Sequence, residues 1–130
     1  MKIVDASLCT LEPLCVEHAA EMFGVLSDAV IDEFENSPPP SQEWLAERYA
    51  QLERRTSADG RQDWLNWVVR LHSGDVAGYV QATVHANGRA ALAYVLGSRW
   101  WVQGGALRSV RAMIDELRAH HGAGDCYAIL

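Results

Sequence analysis

The feature that most constrains this chain is a change in the period of its apolar residues. From Trp64 to Leu71, Leu65, Trp67, Val69 and Leu71 alternate with Trp64, Asn66, Val68 and Arg70. A period of two puts successive side chains on opposite faces of a strand. Ser73-Gly74-Asp75 then turns the chain, and Val76 to His85 alternates again. Asn87-Gly88 follows, a strong hairpin signal because both residues tolerate the positive φ of a type I′ turn. Ala90 to Leu96 returns as a third strand. Residues 64–96 are therefore expected to form a three-stranded antiparallel meander.

The flanking segments carry a helical period instead. Ala6 to Leu14 is predicted to be a short strand ending at Pro13, followed by a helix from about Val16. On that helix Val16, Ala19, Ala20, Phe23 and Leu26 fall on one face. Pro38-Pro39-Pro40 makes a stiff connector, and Ser41 is a natural N-cap for a second helix. There Trp44, Leu45, Arg48/Tyr49 and Leu52 recur at three-to-four spacing until Thr56 to Gly60 breaks the pattern. After the meander, Gly97 to Gly105 is a loop and Ala106 to His121 a helix, with Ala106, Val110, Met113/Ile114 and Leu117 inward. Gly122 stops it, and Cys126 to Leu130 has strand character.

A chain of 130 residues, 49% apolar and 22% charged, is expected to be one globular domain over residues 1–130 with a core of its own. No apolar run is long enough to span a bilayer, and the N-terminus turns polar too early for a secretory signal. Cys9, Cys15 and Cys126 form no C-x-x-C pair and are odd in number, so a reduced, cytoplasmic protein is expected. The net charge of −6 is uneven: residues 1–53 hold eleven acids against Lys2 and Arg48, whereas residues 54–130 hold nine arginines against six acids. Solvated faces account for that asymmetry more readily than two ligands. An acidic chain without a basic stripe is a poor nucleic-acid binder, so Trp64, Trp67, Trp100 and Trp101 are assigned to core and groove walls.

The chemistry-bearing stretch is AALAYVLGSRWWVQGGALRSVRAMIDEL: strand, glycine-rich loop, helix. Glycines at a helix mouth let the backbone approach a ligand, and the helix's unpaired N–H groups and positive dipole end suit a phosphate. Together with LCTLEPLCVEHAAEMFGVLSDAV, SPPPSQEWLAERY, DWLNWVVRL and VAGYVQATV, this order of elements resembles the GNAT N-acetyltransferase superfamily, in its ribosomal-protein-acetylating Rim branch. The resemblance implies an α+β fold, a mixed and mainly antiparallel sheet flanked by helices. It also implies acetyl-CoA as co-substrate and direct acetyl transfer to an amine, a protein N-terminus or a small molecule, in a ternary complex. Tyr94, Val95 and Leu96 would hold the pantetheine, with an N–H near Val95 or Leu96 polarising the thioester carbonyl. Backbone groups of Val102, Gln103, Gly104, Gly105 and Ala106 would hold the pyrophosphate.

The loop departs from the family pattern: Val102 replaces a glycine, Gln103 a basic residue, and Leu107-Arg108 the usual Thr-Glu. Relatives also continue into a further helix and two strands, so a C-terminally truncated sheet with an edge open to a second copy is expected. The alternative function is a catalytically degenerate coenzyme-binding or interaction module completed by dimerisation. No catalytic base matches a motif. Glu33 and Glu35, in the connector, and Asp63 are assigned to solvent. Cys9, Cys15 and His18 match no zinc spacing, His120-His121 suits a helix C-terminus, and Ser98 and Ser109 lack the partners of a hydrolytic serine, so no metal site is assigned.

Overall fold

The computed structural model describes residues 1, 3–6, 9–26, 39–96 and 105–128. Among these residues six strands form one sheet in sequence order: β1 (Val4–Asp5), β2 (Cys9–Pro13), β3 (Gln62–Leu71), β4 (Val76–His85), β5 (Ala90–Leu96) and β6 (Cys126–Ala128). The first five pair antiparallel, and β6 lies parallel to β5 through Ala90↔Cys126, Ala91↔Tyr127 and Leu92↔Ala128. A 3-10 turn (Val16–His18) leads into α1 (Ala19–Leu26), followed by α2 (Gln42–Leu52) and, after β5, α3 (Gly105–His120).

The meander forms as its period requires, with β3 starting two residues earlier than expected, at Gln62. Simple alternation of buried and exposed positions fails in its middle, where Leu65, Asn66, Trp67, Val68 and Val69 are all buried. Helices cover both faces. Leu65, Trp67 and Val69 pack with Met113 and Leu117 of α3. Val68 packs with Leu14, Ala19 and Met22, and with Leu45 and Tyr49 of α2. Such a strand is apolar at nearly every position, as in sheets covered on both sides.

Three local expectations are corrected. The strand predicted from Ala6 to Leu14 forms as the shorter β2, ending at Pro13 as expected, and an unexpected strand β1 pairs with it through Val4↔Leu11, with the Ala6 N–H donating to the Cys9 carbonyl. On α1, Ala19, Phe23 and Leu26 pack inward as expected, but Ala20 is exposed and Met22 is buried in its place, because Val16 belongs to the tighter 3-10 turn. The β4–β5 connection is a three-residue loop, not a two-residue type I′ turn: Gly88 alone has positive φ (85°), and the His85 N–H donates to the Arg89 carbonyl. The β3–β4 loop repeats this geometry, with Gly74 at φ 97° and the Leu71 N–H donating to the Asp75 carbonyl. In both, glycine supplies the left-handed residue that follows the turn.

Ser41 caps α2 as expected, its Oγ accepting from the Trp44 N–H at 3.0 Å. Beyond α3, Gly122 (φ 68°) reverses the chain, and the N–H groups of His121 and Ala123 both donate to the Leu117 carbonyl. Ser109 is fully buried and meets Cys9 of β2, Sγ to Oγ 3.6 Å, which fastens α3 to the sheet.

Candidate functional site

The site begins with a defect in the sheet. Opposite Val69 and Arg70 of β3 stand Gly78 and Val76 of β4, so Ala77 is an extra residue and β4 bulges there. Gly78 follows with φ 151° and lies against β5, where a Cβ would collide with the Val95 carbonyl oxygen and stand 2.8 Å from the Leu96 Cα. Only glycine permits this approach. The bulge and the close contact fix the end of β5, the segment assigned above to pantetheine.

Around that end the structure separates the three assigned strand residues. Val95 is buried and forms part of the wall of a cleft of about 420 Å³ on the α1–α2 side of the sheet. Leu96 packs into the core under α3, and Tyr94 is 37% exposed. The β5–β6 ladder includes only Ala90, Ala91 and Leu92 of β5, so residues 93–96 lie beyond the last described pairing with β6. Gly105 and Ala106 open α3, while Val102, Gln103 and Gly104 lie outside the described residues. The first turn of α3 contains no acid, and the Arg108 side chain is exposed there. A helix start of that charge suits an anion.

The cleft is walled by apolar groups, among them Leu14, Leu26, Pro39, Pro40, Trp44, Leu45 and Leu52. Polar groups enter it from α2 and from β3 and β4: Arg48, Tyr49, Asn66, Tyr79 and Gln81. Tyr49 is 4% exposed, and its hydroxyl has no hydrogen-bond partner among the described residues. Burial pushes its phenol far above the ordinary range, with the nearby Tyr79 adding to the shift. The sequence reading missed Tyr49, which looks like one more apolar position on α2. It missed Gly78 as well, although an isolated glycine inside an alternating strand is a signal of a bulge or close approach.

The remaining sequence candidates fall elsewhere. His18 is buried, its Nδ1 accepting from the Cys15 N–H (3.1 Å) and lying 3.4 Å from Cys15 Sγ. Its other nitrogen faces Glu12 Oε1 at 3.2 Å, and Glu12 accepts from Arg70 Nε at 3.0 Å. Arg70 also grips both oxygens of Glu21, at 2.8 and 3.0 Å. This chain ties β2, β3 and α1 together. Cys15, Glu17 and Glu53 bring ligand atoms within 4.8 Å of one another, with Glu53 accepting from the Val16 N–H at 2.8 Å. Burial raises the Cys15 thiol pKa, and Glu17 beside it raises it further. That pairing suits a cap on the 3-10 turn. Cys9, by contrast, is committed to Ser109. His121, assigned to the helix C-terminus, turns inward: its ring meets Trp67 edge-on at 6.2 Å, and burial lowers its pKa. Asp63 is exposed, while Glu33, Glu35, Ser98, Trp100 and Trp101 lie outside the described residues.

Comparison with known proteins decides the family. The model of the acetyltransferase (GNAT) domain matches residues 9–129. The chain belongs to the GNAT acetyltransferase family. No curated protein matches it in sequence. Among solved structures, a GCN5-related N-acetyltransferase from Brucella melitensis superposes with a TM-score of 0.75 at 21% identity, covering 94% of this chain and 57% of that one. An acetyltransferase from Salmonella typhimurium, described as modifying the N-terminal serine of ribosomal protein L7/L12, gives 0.76 at 13% identity over 97% of this chain and 73% of its own. The microcin C7 self-immunity acetyltransferase MccE, solved with acetyl-CoA and AMP, gives 0.75 at 16% identity over 94% and 69%. At such identities these likenesses concern the fold: a GNAT α+β architecture shared over more than nine-tenths of this chain. No described helix is long and apolar enough to cross a membrane.

Proposed function

We propose that this GNAT domain transfers acetyl from acetyl-CoA to an amine, a protein N-terminus or a small molecule, within a ternary complex. The observation that carries the reading is the position of Val95. It is the penultimate residue of β5, held against Gly78, and walls the cleft on the other side of the sheet from α3. The acid-free start of α3, with Arg108 exposed in its first turn, fits a coenzyme pyrophosphate. Val102, Gln103, Gly104, Gly105 and Ala106 would hold that group, and Tyr94, Val95 and Leu96 the pantetheine. Bound there, the coenzyme supplies an activated acetyl group.

The chain's own contribution is placement. The apolar cleft walls exclude water from the acceptor and favour a neutral amine over an ammonium. Holding the amine against the end of β5 replaces a bimolecular encounter with an oriented one, an effect of several kcal/mol in favourable cases, roughly 7–11. The three free thiols fit a reducing cytoplasm. Pairing of two chains along the sheet edge belongs to the same reading and is checked by sedimentation.

Calorimetric titration of the chain with acetyl-CoA tests the proposal, expecting one site per chain. The Gly104→Glu variant should lose that binding, because its carboxylate would repel the phosphates. A folded sample that binds no acetyl-CoA ends the enzyme reading. Binding without transfer to any amine tried would leave a coenzyme-binding module.

A further inference from the structure

A residue lining the cleft carries a hydroxyl that folding alone does not explain. Tyr49 is 96% buried, yet its hydroxyl has no partner among the described residues, and the residue lines the same cleft as Val95. Buried polar groups are almost always hydrogen-bonded, since an unmade bond forfeits the solvation lost on burial. Phenylalanine would fill the same apolar space among Leu14, Met22 and Leu45 without that loss. Two amides share the cleft. Asn66 is buried, and its backbone carbonyl accepts from the Leu14 N–H. Gln81 lines the wall beside Tyr79. Among the described lining residues no carboxylate is present, and Arg48 is the one charged side chain. An amine there is held by apolar contact and neutral hydrogen bonds, with no acidic partner from these residues.

We propose that the Tyr49 hydroxyl is a specificity-determining contact that selects amines carrying a hydrogen-bonding carbonyl on an apolar body over amines carrying none. The proposal rests on the cleft being the acceptor side of the transfer site. The phenol stays neutral in its buried position, so it both donates to a carbonyl oxygen and accepts from an N–H. A site built to bond a polar group discriminates against analogues lacking it, because its own buried group is then left unpaired. Tyr49 positions the acceptor and takes no part in the proton transfer.

The test compares L-phenylalaninamide with 2-phenylethylamine, which share an apolar body and a primary amine and differ in the carbonyl-bearing group. Binding of each to the full chain and to Tyr49→Phe is measured by ligand-observed NMR titration, alongside thermal melting of both proteins. The wild type should bind the amide about tenfold or more tightly than phenylethylamine. Tyr49→Phe should bind the two alike and melt at or above the wild-type temperature. Equal binding of the two by the wild type, or binding of neither, overturns the proposal. So does a preference that survives in Tyr49→Phe, or a lower melting temperature in that variant, which would give the hydroxyl a structural partner. The readout needs no acetyl-CoA, so a chain that discriminates between the probes but binds no coenzyme would sink the transfer reading and leave Tyr49 as a ligand contact.

Discussion

Gly78 and the groups around Arg70 show how single residues set this fold. Gly78 sits where β4 bulges, and any side chain there meets the backbone of Val95 and Leu96, which cannot move away like the tip of a flexible side chain. Gly78→Ala should therefore cost about 3 kcal/mol or more in urea unfolding, or prevent folding altogether. Arg70 works by charge. Its hydrogen bonds to Glu21 hold that carboxyl below the ordinary carboxylate range. A depressed carboxyl binds fewer protons folded than unfolded, so its stabilisation is present above the unfolded value and is lost as pH falls through the folded one. The melting temperature of the wild type should drop on acidification from about pH 5 to pH 3, and Glu21→Gln should flatten part of that drop. His121 acts the same way at milder pH. Burial against Trp67 lowers its pKa, so stability it confers when neutral is lost as pH falls below its ordinary value.

At the scale of elements, caps and turns were more legible in the sequence than helix faces. Ser41 follows the prolines and accepts from the Trp44 N–H, as a residue of its kind should. Ser41→Ala should lower stability by about 1 kcal/mol, read by chemical denaturation, because one helical N–H loses its partner. The glycines at 74 and 88 marked both hairpins, yet the loop type at Asn87-Gly88 was misread. A two-residue and a three-residue loop place the same glycine one position apart, and strand register chooses between them. On α1 the inward residue Met22 replaced Ala20, because the 3-10 turn from Val16 to His18 changed the phase of the helix. That turn is held by Cys15, His18 and Glu53, two of which act through contacts that depend on β2 and α2.

For the molecule as a whole, one sheet between two helical layers makes two cores, one under α3 and one under α1 and α2. Cys9 lies in the first, fully buried, whereas Cys15 and Cys126 are half-buried. A thiol reagent should therefore modify Cys9 only through unfolding, at a rate that rises with urea, while Cys15 and Cys126 react at rates less dependent on denaturant. Mass spectrometry of the labelled peptides separates the three. Modification of Cys9 at the native-state rate of the others would show that α3 leaves the sheet independently.

What the sequence determined by itself was the meander, the helices on either side of it and the family, because period, turn residues and the order of elements are local or nearly local properties. The three strands between Trp64 and Leu96 follow from alternation and two glycines. The tertiary structure decided what those elements bring together. Tyr49 and Asn66 are separated in sequence by a broken helix end and a turn, and only the packing of α2 on the sheet lets both line one cleft with Val95. Tyr49 looks apolar in a helical pattern, because spacing reports that a residue faces inward and says nothing of what its hydroxyl will meet. The same holds for Gly78, whose need for glycine arises from a strand that crosses it at Val95. Burial, pairing and the unmet hydrogen bond are properties of neighbours distant in the chain, and they exist only once the sheet and its two layers have formed.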